Sequence, residues 1–410
     1  MATHTTSITH VGMVKDKRDT ILSVCVFLSG FSCFAQLYYF QPLLPDLASS
    51  FGLSASLSSL AVSFSTLGMV AGLITMMFLA DALDRKRLIG AALLSSALIS
   101  TLCSFATSFA LLVALCTVKG FLLSGATSVS MAYIAEEVQS RRRSQIMGLY
   151  IAGNAIGGMC GRVIASFISA ATSWRVASIV IGAVCALFAA AFLFYSPHST
   201  QSRIAVSDLR ATVRANLSLI TSKRLIPFYL TGGMMLGIFV SLYNYLGFFL
   251  AEPPFDFSPA YIHYIFLLYI FGVFGSVFTA YLTQRFNRYA VQRTVVLACI
   301  PALLLLFIPT MPTVTLGVGI FTFGFFVVHV ICNRVISDYG RDKKSAALSM
   351  YLLCYYLGSS FLGWGTGIIL DHSTWQWFIA GLIGLTVVLF GIVYIGTTRL
   401  QKEEARTGQR

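Results

Sequence analysis

Three side chains that can hold or move charge fall inside otherwise apolar stretches: Lys119, Arg162 and His329. A charge in lipid is costly, so an ionisable residue there points by default to a substrate or ion path. A histidine can titrate near neutral pH, and Lys119, His329 or acids on the side of the termini could carry a coupling proton. Lys119 lies about 13 Å from the outer end of its run at 1.5 Å per residue, too deep for its stem to snorkel. It should therefore face a cavity or a partner. Arg162 is nearer its run's end, so snorkelling and a site role both stand. A lone His329 reads equally as a hydrogen-bonded structural residue. Polar and aromatic residues that could line the same path are Tyr38, Tyr39 and Gln41, then Asn154, then Tyr243, Asn244 and Tyr245, and finally Asn333, Tyr355 and Tyr356. Most aromatics in such stretches are packing or interfacial residues.

All 15 acids fall at the ends of apolar runs, in connections or at the termini. Two buried cations without a central anion favour a small-molecule substrate that is anionic or amphiphilic. Other chemistries lack their motifs. No H-E-x-x-H or G-x-S-x-G occurs, so no enzyme is expected, and no P-loop G-x-x-x-x-G-K-[ST] is present to drive transport with ATP. The nine cysteines all lie in apolar runs and none forms a C-x-x-C pair. They read as small buried side chains, not as disulfides or a metal site. No cofactor is expected.

The elements that must position these residues follow from composition. Of 410 residues 57% are hydrophobic and 10% charged, and the mean hydropathy is +0.81. A soluble chain would be about a quarter charged, and disorder requires low hydrophobicity. Twelve apolar runs are long enough to span a bilayer, at about 21–43, 58–80, 88–107, 110–134, 146–168, 175–195, 227–250, 261–283, 291–309, 313–336, 346–369 and 375–396. A span needs about 20 residues as a helix and about 10 as a barrel strand. These runs are too long for strands and do not alternate, so they should be helices, which satisfy their own backbone hydrogen bonds in lipid. Residues 1–19 are polar and no small-residue cleavage site follows, so no cleavable signal peptide is expected.

The net charge of +13 could suggest nucleic acid, but 25 of the 28 lysines and arginines fall on the side of the membrane that holds both termini. The remainder are Arg175 on the other side and the buried Lys119 and Arg162. The positive-inside rule then makes both termini cytoplasmic, in a plasma (inner) membrane, with no nucleic-acid partner.

The longest connection, 196–226, is basic and separates the sixth and seventh runs. Sliding the chain by 201 positions lays 136–151 on 337–352. Arg142 and Arg143 then meet Lys343 and Lys344, Tyr150 meets Tyr351, Gly157 meets Gly358 and Trp174 meets Trp375. An offset of 203 lays Asp84-Arg85 on Asn287-Arg288. The expected organisation is a six-helix half at 1–195, a cytoplasmic loop at 196–226 and a second six-helix half at 227–410. Two such halves place a substrate site near the bilayer midplane between them.

Three motifs carry a family resemblance. Leu79-Ala80-Asp81-Ala82-Leu83-Asp84-Arg85-Lys86 resembles G-x-L-A-D-x-x-G-R-K, with Met77 and Asp84 in place of the glycines. Gly153-Asn154-Ala155-Ile156-Gly157-Gly158 resembles G-P-x-x-G-G, with Asn154 in place of proline. Glu136-Glu137 to Arg141 resembles a charge network after the fourth span. Over essentially its whole length the chain resembles a major facilitator superfamily transporter. More narrowly it is similar to the twelve-span drug:proton antiporter branch and, within that, a bacterial inner-membrane efflux group. The resemblance implies an all-α membrane protein of two pseudo-symmetric six-helix halves. It also implies gating roles for Asp81, Arg85, Lys86, Glu136, Arg141, Gly153, Gly157 and Gly158. Each has a plainer alternative: the charges as a solvated loop, the glycines as close helix packing. Many relatives carry an arginine four residues before the glycine that matches Gly120. Here Cys116 stands at that position, and Lys119 lies close to the same helix face.

The leading expectation is a proton-coupled efflux antiporter, acting as a monomer in the lipid bilayer by alternating access. Its rivals are a proton-driven importer or uniporter of a small organic anion or sugar, a polytopic membrane enzyme and a non-transporting sensor.

Overall fold

The computed structural model describes residues 3–138, 140–199, 219, 221–257, 262–340 and 344–407, with side chains for these except 3–17, 81, 140, 141, 263, 344, 345 and 407. Among the described residues there are twelve long helices: α1 (Thr3–Tyr38), α2 (Leu60–Leu79), α3 (Arg85–Cys103), α4 (Phe109–Glu137), α5 (Ser140–Ala171), α6 (Trp174–Tyr195), α7 (Ile226–Ala251), α8 (Tyr269–Arg285), α9 (Arg288–Leu304), α10 (Met311–Tyr339), α11 (Lys344–Gly365) and α12 (Trp375–Thr407). No strand occurs among the described residues. Each expected apolar run coincides with one of twelve helical segments long and apolar enough to cross a membrane. Most of the expected central connection, 200–218 and residue 220, lies outside the described residues.

Several helices outrun their apolar stretch. Hydropathy marks where the chain meets lipid, whereas the hydrogen-bond ladder continues into charged turns that pair with one another. On the side of the termini Arg18 pairs with Glu137 at 2.7 Å, Arg85 with Glu136 at 2.8 Å and Arg224 with Glu403 at 2.7 Å. There too, Arg288 meets both Asp338 and Glu404, while Tyr289 and Tyr339 each donate to Glu404.

Helix starts are set locally. The Ser108 side chain accepts from Leu111 N at the head of α4, and Ser173 does the same from Val176 N at α6. Asp84 accepts from Arg87 N at the head of α3, and Asn287 accepts from Tyr289 N and Ala290 N at α9. Capping by Asp or Asn stabilises a helix by about 1 kcal/mol. The two positions that the internal repeat superimposes thus do the same work in each half.

Packing divides the helices into two groups. Within the first, α1 lies on α5 and α6, α2 on α4, and α3 on α4 and α6; within the second, α7 lies on α11 and α12, α8 on α10, and α9 on α10 and α12. The groups meet chiefly where α2 faces α11 and where α5 faces α8 and the 3-10 turn His263–Leu268 before it. Close approach needs glycine. A Cβ on Gly157 would run into the backbone of Phe31 on α1, and one on its repeat partner Gly358 into the Gly233 backbone on α7. Large apolar side chains remain on the perimeter: Phe194 is 82% exposed and Val277 72%. A continuous exposed apolar surface of this kind belongs in lipid.

Candidate functional site

Arg162 sits on α5 at the seam between the two helix groups and is 3% exposed. Its Nε donates to Gln41 Oε1 at 2.6 Å and its Nη1 to the Gly158 carbonyl at 2.5 Å. Its Cζ is 4.5 Å from the ring centre of Tyr38 on α1 and 4.4 Å from that of Tyr269 on α8. Aromatic faces attract a guanidinium by about 1–2 kcal/mol when desolvated. No carboxylate pairs with Arg162 among the described residues. Its Nη2 makes no hydrogen bond among the described residues. The hydroxyls of Tyr38 and Tyr269 are buried and have no partner within hydrogen-bond distance among the described residues, Ser359 lying toward that of Tyr38. Tyr355 and Tyr356 stand on α11, with ring centres 5.4 Å apart, and Tyr355 packs on Tyr351 at 5.7 Å.

Gln41 ties this arginine to the second helix group. It stands in the 3-10 turn Gln41–Leu43, where Pro42 enforces the break after α1. Its Nε2 donates to Asn244 Oδ1 at 2.8 Å and to the Val240 carbonyl at 3.2 Å. Asn244 Nδ2 in turn donates to the Gly363 carbonyl on α11 at 3.2 Å. Tyr243 Oη lies 2.9 Å from Thr322 Oγ1, and Tyr245 Oη lies 2.9 Å from Ser59 Oγ, again across the seam.

Lys119 is not part of this cluster. It is wholly buried within the first six helices, with Nζ 4.4 Å from the ring centre of Tyr39 and 4.8 Å from that of Phe40. The ammonium has no hydrogen-bond partner among the described residues. Its expected outlet is therefore a pair of aromatic rings rather than open space. His329 also stands apart, on α10. Its Nδ1 is 2.9 Å from Tyr351 Oη and its Nε2 is 3.1 Å from Asn333 Nδ2. Its ring lies 4.9 Å from Tyr355 and stacks near Phe325, within an aromatic group that includes Phe239 and Tyr243.

The family-motif residues fall at two places. Arg85 and Glu136 are paired at the termini side, and Lys86 is buried beside them. The side chains of Asp81 and Arg141 lie outside the described residues. Gly153 and Gly157, with Gly161, turn toward α1, where a Cβ would meet the backbones of Phe27, Phe31 and Ala35. Gly158 faces elsewhere, beside Arg162 Nη1 and Phe34. Asn154 Oδ1 is buried without a hydrogen-bond partner among the described residues, close to Gly30.

Hydrogen bonds that join the groups gather on the face away from the termini. Asp371, after α11, accepts from Ser54 Oγ at 2.8 Å, from Ser56 N at 3.1 Å and from Ser56 Oγ. Deeper in, Thr66 Oγ1 and Ser360 Oγ are 2.8 Å apart.

Asp371, Ser54, Ser56, Thr66, Ser360 and Tyr269 were not legible as seam residues. Serines and tyrosines occur throughout the spans, and Tyr269 has only apolar neighbours in sequence. Asp371 carried a weak signal, as an acid on the side where charge is scarce.

The sequence model described as the Major Facilitator Superfamily matches residues 26–362. The chain belongs to the Major Facilitator Superfamily. This superfamily transporter is 32% identical to an uncharacterized transporter of Buchnera aphidicola subsp. Schizaphis graminum, over 94% of its own length and 92% of the relative's. It is also 32% identical to the inner membrane transport protein YnfM of Escherichia coli K12, over 93% and 90% of the two chains. Among solved structures, an inward-facing, occupied bacterial homologue of the human lysosomal transporter Spinster shares the fold. The TM-score is 0.74 at 13% identity, covering 93% of this chain and 96% of that one. The superfamily transporter is thus a multi-pass membrane protein with two helix groups around a shared seam.

Proposed function

We propose that this transporter is a proton-coupled efflux antiporter of the drug:proton branch, lodged in the bacterial inner membrane with both termini cytoplasmic. The functional halves are 1–195 and 227–410, joined by the loop at 196–226, and they rock about a midplane site. The observation that carries this reading is Arg162. A buried, acid-free guanidinium braced by Gln41 and flanked by one tyrosine from each helix group has a setting that must change if the groups move. In this reading the polar contacts of Asp371, Thr66 and Gln41 close the outer face, so the site opens to the cytoplasm. Arg85, Lys86 and Glu136, with Asp81 and Arg141, form the inner latch when the halves rock the other way. Gly153 and Gly157 let α5 slide on α1. Gly158, Asn154, Tyr243, Asn333, Tyr355 and Tyr356 line or border the path, and Lys119 or His329 carries the coupled proton.

The test uses purified protein in proteoliposomes. A counterflow screen of anionic, neutral and cationic compounds identifies a cargo. Cells expressing the transporter are then loaded with that cargo and the pH gradient is collapsed. Accumulation should rise. A fall would identify a proton-driven importer, no change a uniporter, and the absence of any cargo a non-transporting protein.

A further inference from the structure

We infer that the substrate class is a planar aromatic monocarboxylate, with its carboxylate on Arg162 and its ring among the seam tyrosines. This rests on the transport reading above, because it names the cargo of the same site.

The argument for a carboxylate starts from the donors. Gln41 takes the Nε proton and Gly158 takes one on Nη1, which leaves the Nη2 protons and the other Nη1 proton uncommitted. A guanidinium edge of this kind matches a carboxylate with two parallel N–H···O bonds. Tyr38 and Tyr269 flank the guanidinium with their rings, so a ligand approaches at its free edge. Their unpaired hydroxyls offer further donors to a bound carboxylate.

The charge of the ligand follows from Lys119. Two membrane-buried cations would suit a dianion. Lys119, however, is fully buried beneath Tyr39 and Phe40 and contributes nothing to the seam. A second negative charge on the ligand would therefore be desolvated without a partner, which is strongly unfavourable. The rings that meet Arg162 are those of Tyr38 and Tyr269, and Tyr269 packs in turn against Tyr243 and Phe239, so the remainder of the ligand meets aromatic surface. Aromatic rings add stacking to area burial when they meet other rings.

The probes are benzoate, its neutral isostere benzamide, the cation benzylammonium, the dianion phthalate and the aliphatic acetate. Binding to the detergent-purified, full-length protein is measured by calorimetry, and movement by counterflow in proteoliposomes. Benzoate should bind, with each of the other four weaker by about tenfold or more. Arg162→Lys, which keeps the charge but loses the fork, should weaken benzoate about tenfold. Arg175→Gln, at the outer rim, should leave it unchanged. Equal binding of benzamide, tighter binding of phthalate, or no binding of benzoate overturns the proposal, and all three are read on the unmodified protein. Benzoate that binds through Arg162 but is not moved leaves the ligand class standing and overturns the transport reading.

Discussion

Gln41 joins Arg162 to Asn244: one end of its amide accepts from the guanidinium at 2.6 Å and the other donates across the seam at 2.8 Å. The residue that orients the buried cation is therefore also a strut between the two helix groups. Anything that draws the guanidinium toward itself must pull on that strut.

Gln41→Ala removes both bonds and leaves Asn244 Oδ1 without its donor. A buried polar group left unpaired costs about 1–3 kcal/mol. The cargo's KM should rise about tenfold. Amide hydrogen exchange over 240–247 should quicken. Unchanged exchange there would mean that the strut does not hold the seam.

Asp371→Asn keeps the shape but removes the charge from the outer cluster with Ser54 and Ser56. Hydrogen bonds to a charged group contribute about 1.5–3 kcal/mol each, against about 1 for neutral ones. The variant should open its outer face more often, so that exchange over 54–59 quickens by roughly tenfold while exchange at the Arg288–Glu404 pair is unchanged. Exchange over 54–59 equal to that of the unmodified protein would remove Asp371 from the seal.

Lys119→Met should separate stability from coupling. The ammonium is buried without a hydrogen bond, and replacing such a charge by an apolar side chain of similar length is often stabilising, by about 1–4 kcal/mol. The melting temperature should rise. If Lys119 carries the proton, export should lose its response to the pH gradient. Retained coupling transfers that role to His329 or to the acids of the termini side.

Gly157→Ala tests the α1–α5 contact. The added methyl meets the Phe31 backbone, so the helices must part and the melting temperature should fall by several degrees. Gly148→Ala on the same helix has open space around it. There the better helix propensity should raise stability by up to about 1 kcal/mol. A fall at both positions would point to the helix itself and not to the contact.

Much of the architecture could be read from the sequence, and particular residues show why. Asp84 and Asn287, matched by the repeat alone, cap α3 and α9 through bonds to amides two or three residues on. Such features are local, so a short stretch of chain contains all their causes. The same holds for the spans, since a helix in lipid satisfies its own backbone. The seam is different. Ser54 and Asp371 are 317 positions apart and Gln41 and Asn244 203 apart. Nothing near either member of a pair announces the other.

The sequence by itself determined twelve membrane helices, a twofold repeat, the asymmetry of basic charge and the rarity of ionisable groups within the spans. The spans follow from composition over a window no longer than one helix, and the repeat and the charge asymmetry from comparing such windows along the chain. Only the tertiary structure decided that the two buried cations have different settings. Helix rotation and the break at Pro42 put the rings of Tyr39 and Phe40 over Lys119. They also put Tyr38 and, from the other helix group, Tyr269 beside Arg162. Tyr38 and Tyr39 are adjacent in the chain yet serve different cations, because successive residues at a helix end point in different directions.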